Sequence, residues 1–361
     1  MAVRHSISFN RPLRFAIVAA LAATVIAGGS SQAAPLLKGS RVLGVQVNEA
    51  EDRDYFRAFA AAKTLGMEAV SLSANWDDVE TSERMFAPKP NYFAIANSFY
   101  PSRVKLDLFV RALDTNGYHL PRDLRGRPID DPLVIDRYTK CVDWVLSQLA
   151  NTELTFLGVG NEIDIGLGKD SSGYERFARF LAAVRSRLRA KYPALAVGAS
   201  ATLDGLVGAQ KAVLRQVNRE ADLVIVTYYP LETGVGVRDP STVVGDIHRL
   251  VDTYPAVPII FSEAGYPSSA ALKSSEQRQA EFVREVFKAW DAHPAQIRQI
   301  TFYHLTDSGP DTVAEFTRYY GLSAGPFKAF LSSLGLRTFP GSGTDKEAFR
   351  TLREEAKSRG W

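Results

Sequence analysis

The stretches DLVIVTYY (222–229) and VPIIFSE (257–263) decide the fold. Each is a short, nearly unbroken apolar run that ends in side chains able to do chemistry. A strand with one wet face would alternate apolar and polar residues. A run apolar on both faces suits a strand covered by helices on one side and by a packed interior on the other. A helical pattern lies between the two runs (241–253) and another follows the second (274–292). Strand, helix, strand, helix in that order argues for a parallel sheet.

Outward from these runs, the same alternation continues along the chain. Strands are expected at 41–48, 68–75, 105–113, 155–160, 195–200, 223–227, 258–262 and 299–305. Helices are expected at 52–65, 91–100, 131–150, 173–191, 205–218, 241–253, 274–292 and 326–334. The helices carry a 3.6-residue period; in ERFARFLAAVRSRLRAKY (175–192) the apolar residues face one way and the Arg residues the other. Eight repeats in this length suit a closed (β/α)8 barrel better than an open sheet. An open nucleotide-binding sheet would place a glycine-rich phosphate loop after its first strand, and GVQVNEAEDRD (44–54) is not one. The fold class expected is α/β: a single TIM barrel over 41–336. A Gly/Ser link and a short charged helix then form a C-terminal appendage over 337–361.

The first 33 residues read as a secretory signal. Arg4, Arg11 and Arg14 form a positive start, FAIVAALAATVIA (15–27) an apolar segment, and Ser31 and Ala33 a small-x-small cleavage site. The apolar segment is short of the roughly 20 residues that span a bilayer. The leader holds three Arg and no acid, so its removal takes the formal charge of +3 to zero. A neutral mature chain lacks the electrostatic footprint of a nucleic-acid or anionic-membrane binder. One cysteine, Cys141, cannot form an internal disulfide, so an exported chain of this kind must rest on a large core. The expected location is the periplasm or the extracellular space, with no membrane anchor after cleavage.

In a TIM barrel the chemistry gathers at the C-terminal ends of the strands. Those positions hold Asn48 and Glu49, Asn75, Trp76 and Asp77, Asp114, Asn161 and Glu162, Tyr228 and Tyr229, Glu263, and His304 and Asp307. Two carboxylates stand out, because Glu162 closes TFLGVGNE (155–162) and Glu263 closes PIIFSE (258–263). A lone carboxylate straight after an apolar strand is costly to bury without purpose. From strands four and seven the two can converge across the mouth. Retaining glycoside hydrolysis needs such a pair about 5–5.5 Å apart, one protonated and one ionised.

GNEI (160–163), SEAGYPS (262–268), TYYP (227–230) and NWDDVE (75–80), in their strand order, resemble motifs of one clan of retaining barrel glycosidases. That clan carries its catalytic glutamates on strands four and seven, and the nearest motifs are those of β-1,3-glucanases and endo-β-1,4-galactanases. The resemblance runs from about Leu43 to His304. It implies Glu162 as acid/base and Glu263 as nucleophile. It implies Asn161 on the sugar 2-OH, and one of Tyr228 and Tyr229 donating to Glu263. Trp76, Tyr266 and Tyr303 become candidate sugar-stacking faces, with Asp114 and His304 at the rim of the substrate site. The chain departs from the clan at strand eight, where ITFYHLT (300–306) lacks the usual Trp under the reactive sugar.

Plainer readings compete. Asn161 could cap the helix after strand four. Trp76 could be a core-edge aromatic, Asp114 and Asp307 could cap turns, and Glu80 could anchor its own loop. The remaining His residues form no His-x-His or His-Glu-x-x-His, and there is no Gly-x-Ser-x-Gly elbow, so metal-dependent and serine hydrolases are disfavoured. No metal or cofactor is expected. The partner expected is a carbohydrate substrate, bound by a monomeric chain without nucleic acid. Beside hydrolysis stand two alternatives: a transglycosylase of the same fold, and a barrel that binds carbohydrate without turning it over.

Overall fold

The computed structural model describes residues 35–232 and 236–361; the leader expected at 1–33 lies outside them. From Pro35 on, the chain clusters as one compact unit. The barrel strands are β1 (Val42–Val45), β2 (Ala69–Asn75), β3 (Lys105–Asp114), β4 (Leu154–Gly160), β5 in two pieces (Val197–Gly198 and Ser200–Thr202), β6 (Val224–Tyr228), β7 (Ile259–Ala264) and β8 (Ile297–Phe302). All are parallel, and the pairing runs from the first piece of β5 through β4, β3, β2, β1, β8, β7 and β6 to its second piece. The two ends of that path are consecutive in the chain and are split at Ala199. The ring therefore closes through one fifth strand.

The outer layer holds α1 (Tyr55–Lys63), α2 (Tyr92–Phe99), α3 (Pro132–Gln148), α4 (Ser171–Lys191), α5 (Lys211–Arg219), α6 (Val243–Thr253), α7 (Glu276–Ala292) and the C-terminal α8 (Glu347–Ser358). Local chemistry sets several starts. The Asp131 carboxylate accepts from Leu133 N with Pro132 at the first helical position, and Asp170 and Ser275 cap α4 and α7 in the same way. The C-terminal helix docks on the barrel wall, burying Ala348, Phe349, Leu352 and Ala356 in the main core. Short helices outside the expected pattern, Ile163–Leu167 and Pro310–Tyr320, sit in the loops after β4 and β8.

The barrel interior is filled. Phe109, Phe156, Leu223, Ile225 and Ile260 form its apolar plug. A Cβ at Gly158 would lie 2.2 Å from the Phe109 ring, so only glycine leaves room for that ring. Nearby, the fully buried Asp107 of β3 accepts from Gln299 at 2.6 Å and Thr301 at 3.3 Å, a polar layer tying β3 to β8 across the interior. With its interior packed, the barrel leaves its C-terminal mouth for a site. Among the described residues no helix is long and apolar enough to cross a membrane.

Candidate active site

Glu162 lies two residues past the end of β4, and Glu263 lies near the mouth end of β7. One residue of β6 connects them. Thr227 is the register partner of Glu263, and its hydroxyl donates to Glu162 Oε1 at 2.7 Å. The register depends on a bulge. Val226 pairs with Phe261 but Thr227 pairs with Glu263, so Ser262 is an extra residue. The other neighbour shows the same surplus, with Phe261 opposite Ile300 and Ala264 opposite Phe302. A bulge bends a strand and re-aims its side chains. Here Phe261 stays fully buried while Glu263 keeps some solvent contact.

The backbone at Glu162 is also unusual. Its φ of 42° and ψ of 51° place a non-glycine residue in the left-handed region, which side chains seldom adopt. In that conformation its N–H donates to Ser200 Oγ at 2.9 Å, while its carbonyl accepts from Ile165 N at 2.9 Å and opens the short helix Ile163–Leu167. Glu162 rather than Asn161 is thus the capping position, and neither side chain caps. Strain of this sort, retained on a carboxylate at a strand end, points to function. Asp164, one helical step on, accepts from Thr202 N at 2.9 Å and Thr202 Oγ1 at 2.5 Å and pins this turn to β5.

The two carboxyls are supported unequally. Burial pushes both above the usual carboxylate range, though each keeps partial solvent contact. On Glu162 the next largest influence is the charge of Glu263, which raises it further against the Thr227 hydrogen bond. On Glu263 the next influence pulls the other way: Tyr229 donates its hydroxyl to Oε2 at 2.5 Å, while the charge of Asp114 raises the carboxyl and the Arg111 guanidinium lowers it. A single proton shared by this pair belongs on Glu162, leaving Glu263 ionised.

Around the pair, the structure sorts the candidate residues. Asn161 is buried with its amide oxygen accepting from Ser200 Oγ at 2.7 Å and its amide nitrogen donating to Asp114 Oδ1 at 3.0 Å, so one amide hydrogen remains for a ligand. Asp114 is fully buried; burial raises its pKa, but Arg111 at 2.8 Å, Tyr319 at 2.6 Å and Asn161 outweigh that and hold it ionised. It also accepts from Thr115 N at 2.7 Å, so its turn-capping and site-facing roles coexist. Tyr303 is half-buried, meets Tyr229 edge to face with centroids 6.3 Å apart, and is joined to His304 by a cis peptide.

Four candidates point elsewhere. Tyr228 is buried, and its hydroxyl donates to Asp246 Oδ2 at 2.8 Å in the helix layer, so Tyr229 is the tyrosine that meets Glu263. Adjacent strand residues face opposite sides, and the structure shows which is which. Trp76 has no exposed surface: its indole N–H donates to Glu80 at 2.9 Å and its ring packs edge-on against Tyr138. Tyr266 is buried, stacked on Phe282, with its hydroxyl on Arg238 O at 2.7 Å. Neither ring offers a face to a sugar. His304 is buried and pushed down to about 4 by desolvation, hence neutral, and its closest side-chain partner is Ser308 Oγ at 3.5 Å. Glu80 anchors its loop, accepting from Trp76 and from Arg137 Nε at 3.0 Å.

Residues outside the sequence reading complete the site: Thr227, Ser200, Arg111 and Tyr319. Thr227 and Ser200 had a legible signal, since each is a hydroxyl at the mouth end of a barrel strand. Arg111 and Tyr319 had none, because one lies inside a strand and the other on a helix.

No family model matches the chain, and no curated protein matches its sequence. Its fold has solved counterparts. GH5_18 from Streptomyces cattleya in complex with GlcNAc superposes with a TM-score of 0.67 at 17% identity, over 90% of this chain and 80% of that one. A GH5_18 from Bifidobacterium longum subsp. infantis gives 0.62 at 17%, over 88% and 78%. A family 39 glycoside hydrolase from the gut symbiont Bacteroides cellulosilyticus WH2 gives 0.60 at 14%, over 89% and 64%. The structural neighbours are glycoside hydrolases; at these identities the likeness establishes the barrel.

Proposed function

We propose that the protein is a retaining glycoside hydrolase of the clan it resembles. It would cleave β-linked poly- or oligosaccharides outside the cytoplasm, with Glu162 as acid/base and Glu263 as nucleophile. One observation carries the reading: two mouth-facing glutamates joined through Thr227, Glu162 pushed up to about 8 by burial and by the charge of Glu263, and Glu263 pushed up less far, to about 7, because the Tyr229 hydrogen bond opposes its burial. Environments that push two carboxyls toward opposite roles mark an acid/base and nucleophile pair. The glycosidase neighbours and the export leader read at 1–33 support the same conclusion.

The reaction follows from these positions. A Glu263 oxygen attacks the anomeric carbon as the bond from that carbon to the leaving oxygen breaks. The leaving oxygen takes the Glu162 proton, and a glycosyl ester forms on Glu263. Water then gives a proton to Glu162 and its oxygen to the anomeric carbon, which frees the sugar and restores both carboxyls. Tyr229 steadies the Glu263 anion before attack. The remaining amide hydrogen of Asn161 would donate to the sugar 2-OH, a contact that strengthens in the transition state. The chemistry calls on no metal or cofactor.

The test is reducing-sugar release by the purified mature chain from β-glucans, galactans, mannans and xylans, with Glu263→Gln as control. Release from one polymer, lost in the variant, is the expected result. Release that persists in the variant removes Glu263 from the mechanism.

A further inference from the structure

The loop after β8 crosses the mouth. Helix Pro310–Tyr320 leaves the β8 side and its last turn reaches β3, where the Tyr319 hydroxyl donates to Asp114 Oδ2 at 2.6 Å. The Tyr319 ring lies parallel to that of His119 in the β3 loop, at 4° with centroids 6.2 Å apart. Burial, with Tyr303 and Glu263 nearby, pushes the hydroxyl of the neighbouring Tyr320 up. Behind this turn, Phe316 of the strap and Tyr229 and Tyr303 beside Glu263 pack against one buried cluster that includes Phe330, whose ring meets Tyr229 edge to face.

The strands β8, β1, β2 and β3 are consecutive neighbours in the ring, so a strap from β8 to β3 roofs the β1–β2 sector of the mouth. Asn75 and Arg111 are register partners in β2 and β3 on that side. Each has a buried polar atom, Asn75 Oδ1 and Arg111 Nε, with no hydrogen-bond partner among the described residues. Buried polar groups rarely stay unpaired, and one acceptor beside one donor matches the hydroxyls of a sugar ring. Glu162, which faces the leaving group, stands on β4, outside the roofed sector.

We propose that the strap makes this sector a closed end for one terminal sugar, so that the protein removes single sugars from the non-reducing end of β-linked chains, with Tyr319 setting the limit. This rests on the hydrolase reading above.

The experiment uses reducing-end-labelled hexasaccharides of β-1,3-glucan, β-1,4-galactan and β-1,4-mannan, each uncapped and with a 4,6-benzylidene cap on the non-reducing sugar. Products are followed by mass spectrometry at early times. The expected first products are one monosaccharide and a labelled chain one unit shorter, and the cap should slow the reaction more than about 100-fold. Tyr319→Ala should release di- and trisaccharides as well and shrink the effect of the cap. Tyr319→Phe, which removes only the hydroxyl bonded to Asp114, should shift products the same way to a smaller extent. Early di- or trisaccharides from the unaltered protein, or indifference to the cap, overturn the inference and leave the hydrolase reading standing. No cleavage of any chain overturns both.

Discussion

The wall from β4 to β7 and the strap after β8 meet over the same two carboxylates but are held in different ways. In the wall, Thr227 and Glu263 lie within barrel strands, and Glu162 directly follows one. Fully buried neighbours such as Val226 and Phe261 flank them. The helix Pro310–Tyr320 buries none of its residues and holds its place through Tyr319 and the aromatic cluster beneath. A displacement reaction needs atoms fixed to a fraction of an ångström, which strands of a packed barrel supply. Choosing among chains needs a surface that can vary, which loops supply. Changes in the wall should therefore alter rate, and changes in the strap should alter which bond is cut.

The largest effect belongs to Glu263→Gln. It removes the proposed nucleophile but keeps the size and the acceptor that Tyr229 meets, and turnover should fall by about 10⁴-fold or more with the melting temperature little changed. Glu162→Ala follows, with a loss of about 10²–10⁴-fold on chains whose leaving group needs a proton and far less on activated aryl glycosides. Equal losses on both substrates would remove Glu162 from the acid role. The pH profile should change with it. In the proposed mechanism activity requires the proton on Glu162, so the alkaline limb should lie where that raised pKa is passed, and this limb should vanish in the variant on aryl substrates.

Tyr229→Phe sharpens the contrast inside the wall. Glu263 loses the donor that favours its anion, so its pKa rises. The acid limb of the profile should then move to higher pH, with kcat lower by about 10–100-fold. Tyr228→Phe, one residue away on the opposite face, should leave that limb in place because its hydroxyl serves Asp246. Identical shifts in both variants would mean the limb reports something other than Glu263.

The wall was legible in the sequence for a physical reason. Runs such as TFLGVG and PIIFS are short and rich in β-branched and aromatic residues, which favours buried strands, and a carboxylate at the end of each then falls at the mouth. Side-chain direction was not legible. Trp76 and Tyr266 adjoin motif residues, yet each turns inward, because Glu80 and the Arg238 carbonyl satisfy their polar atoms inside the fold. The choice between Tyr228 and Tyr229 is set by the pleat of the strand they both end, which turns Tyr229 toward Glu263 and Tyr228 toward Asp246. The bulge at Ser262 leaves no mark in SEAGY, although it sets where Glu263 lies in the register. The strap was least legible: its tie to Asp114 spans 205 residues and rests on one hydroxyl, with no periodicity to betray it.

The smallest predicted effect separates cost from function at Glu162. Its folded-state pKa is raised by burial and by Glu263, so the folded chain binds that proton more tightly than the unfolded chain does. For a carboxyl shifted upward, stability is greatest below the unfolded value and declines as pH climbs toward the folded value. Glu162→Gln mimics the protonated side chain and keeps the Oε1 acceptor that Thr227 meets at 2.7 Å, so it removes the decline and retains the contact. The variant and the unaltered protein should melt together at pH 4, and at pH 8 the variant should melt about 2 °C higher, discounting for the solvent contact the side chain retains. A variant that melts lower at pH 8 would mean that the Glu162 anion is stabilised in the fold, and the wall would then hold two bases and no acid.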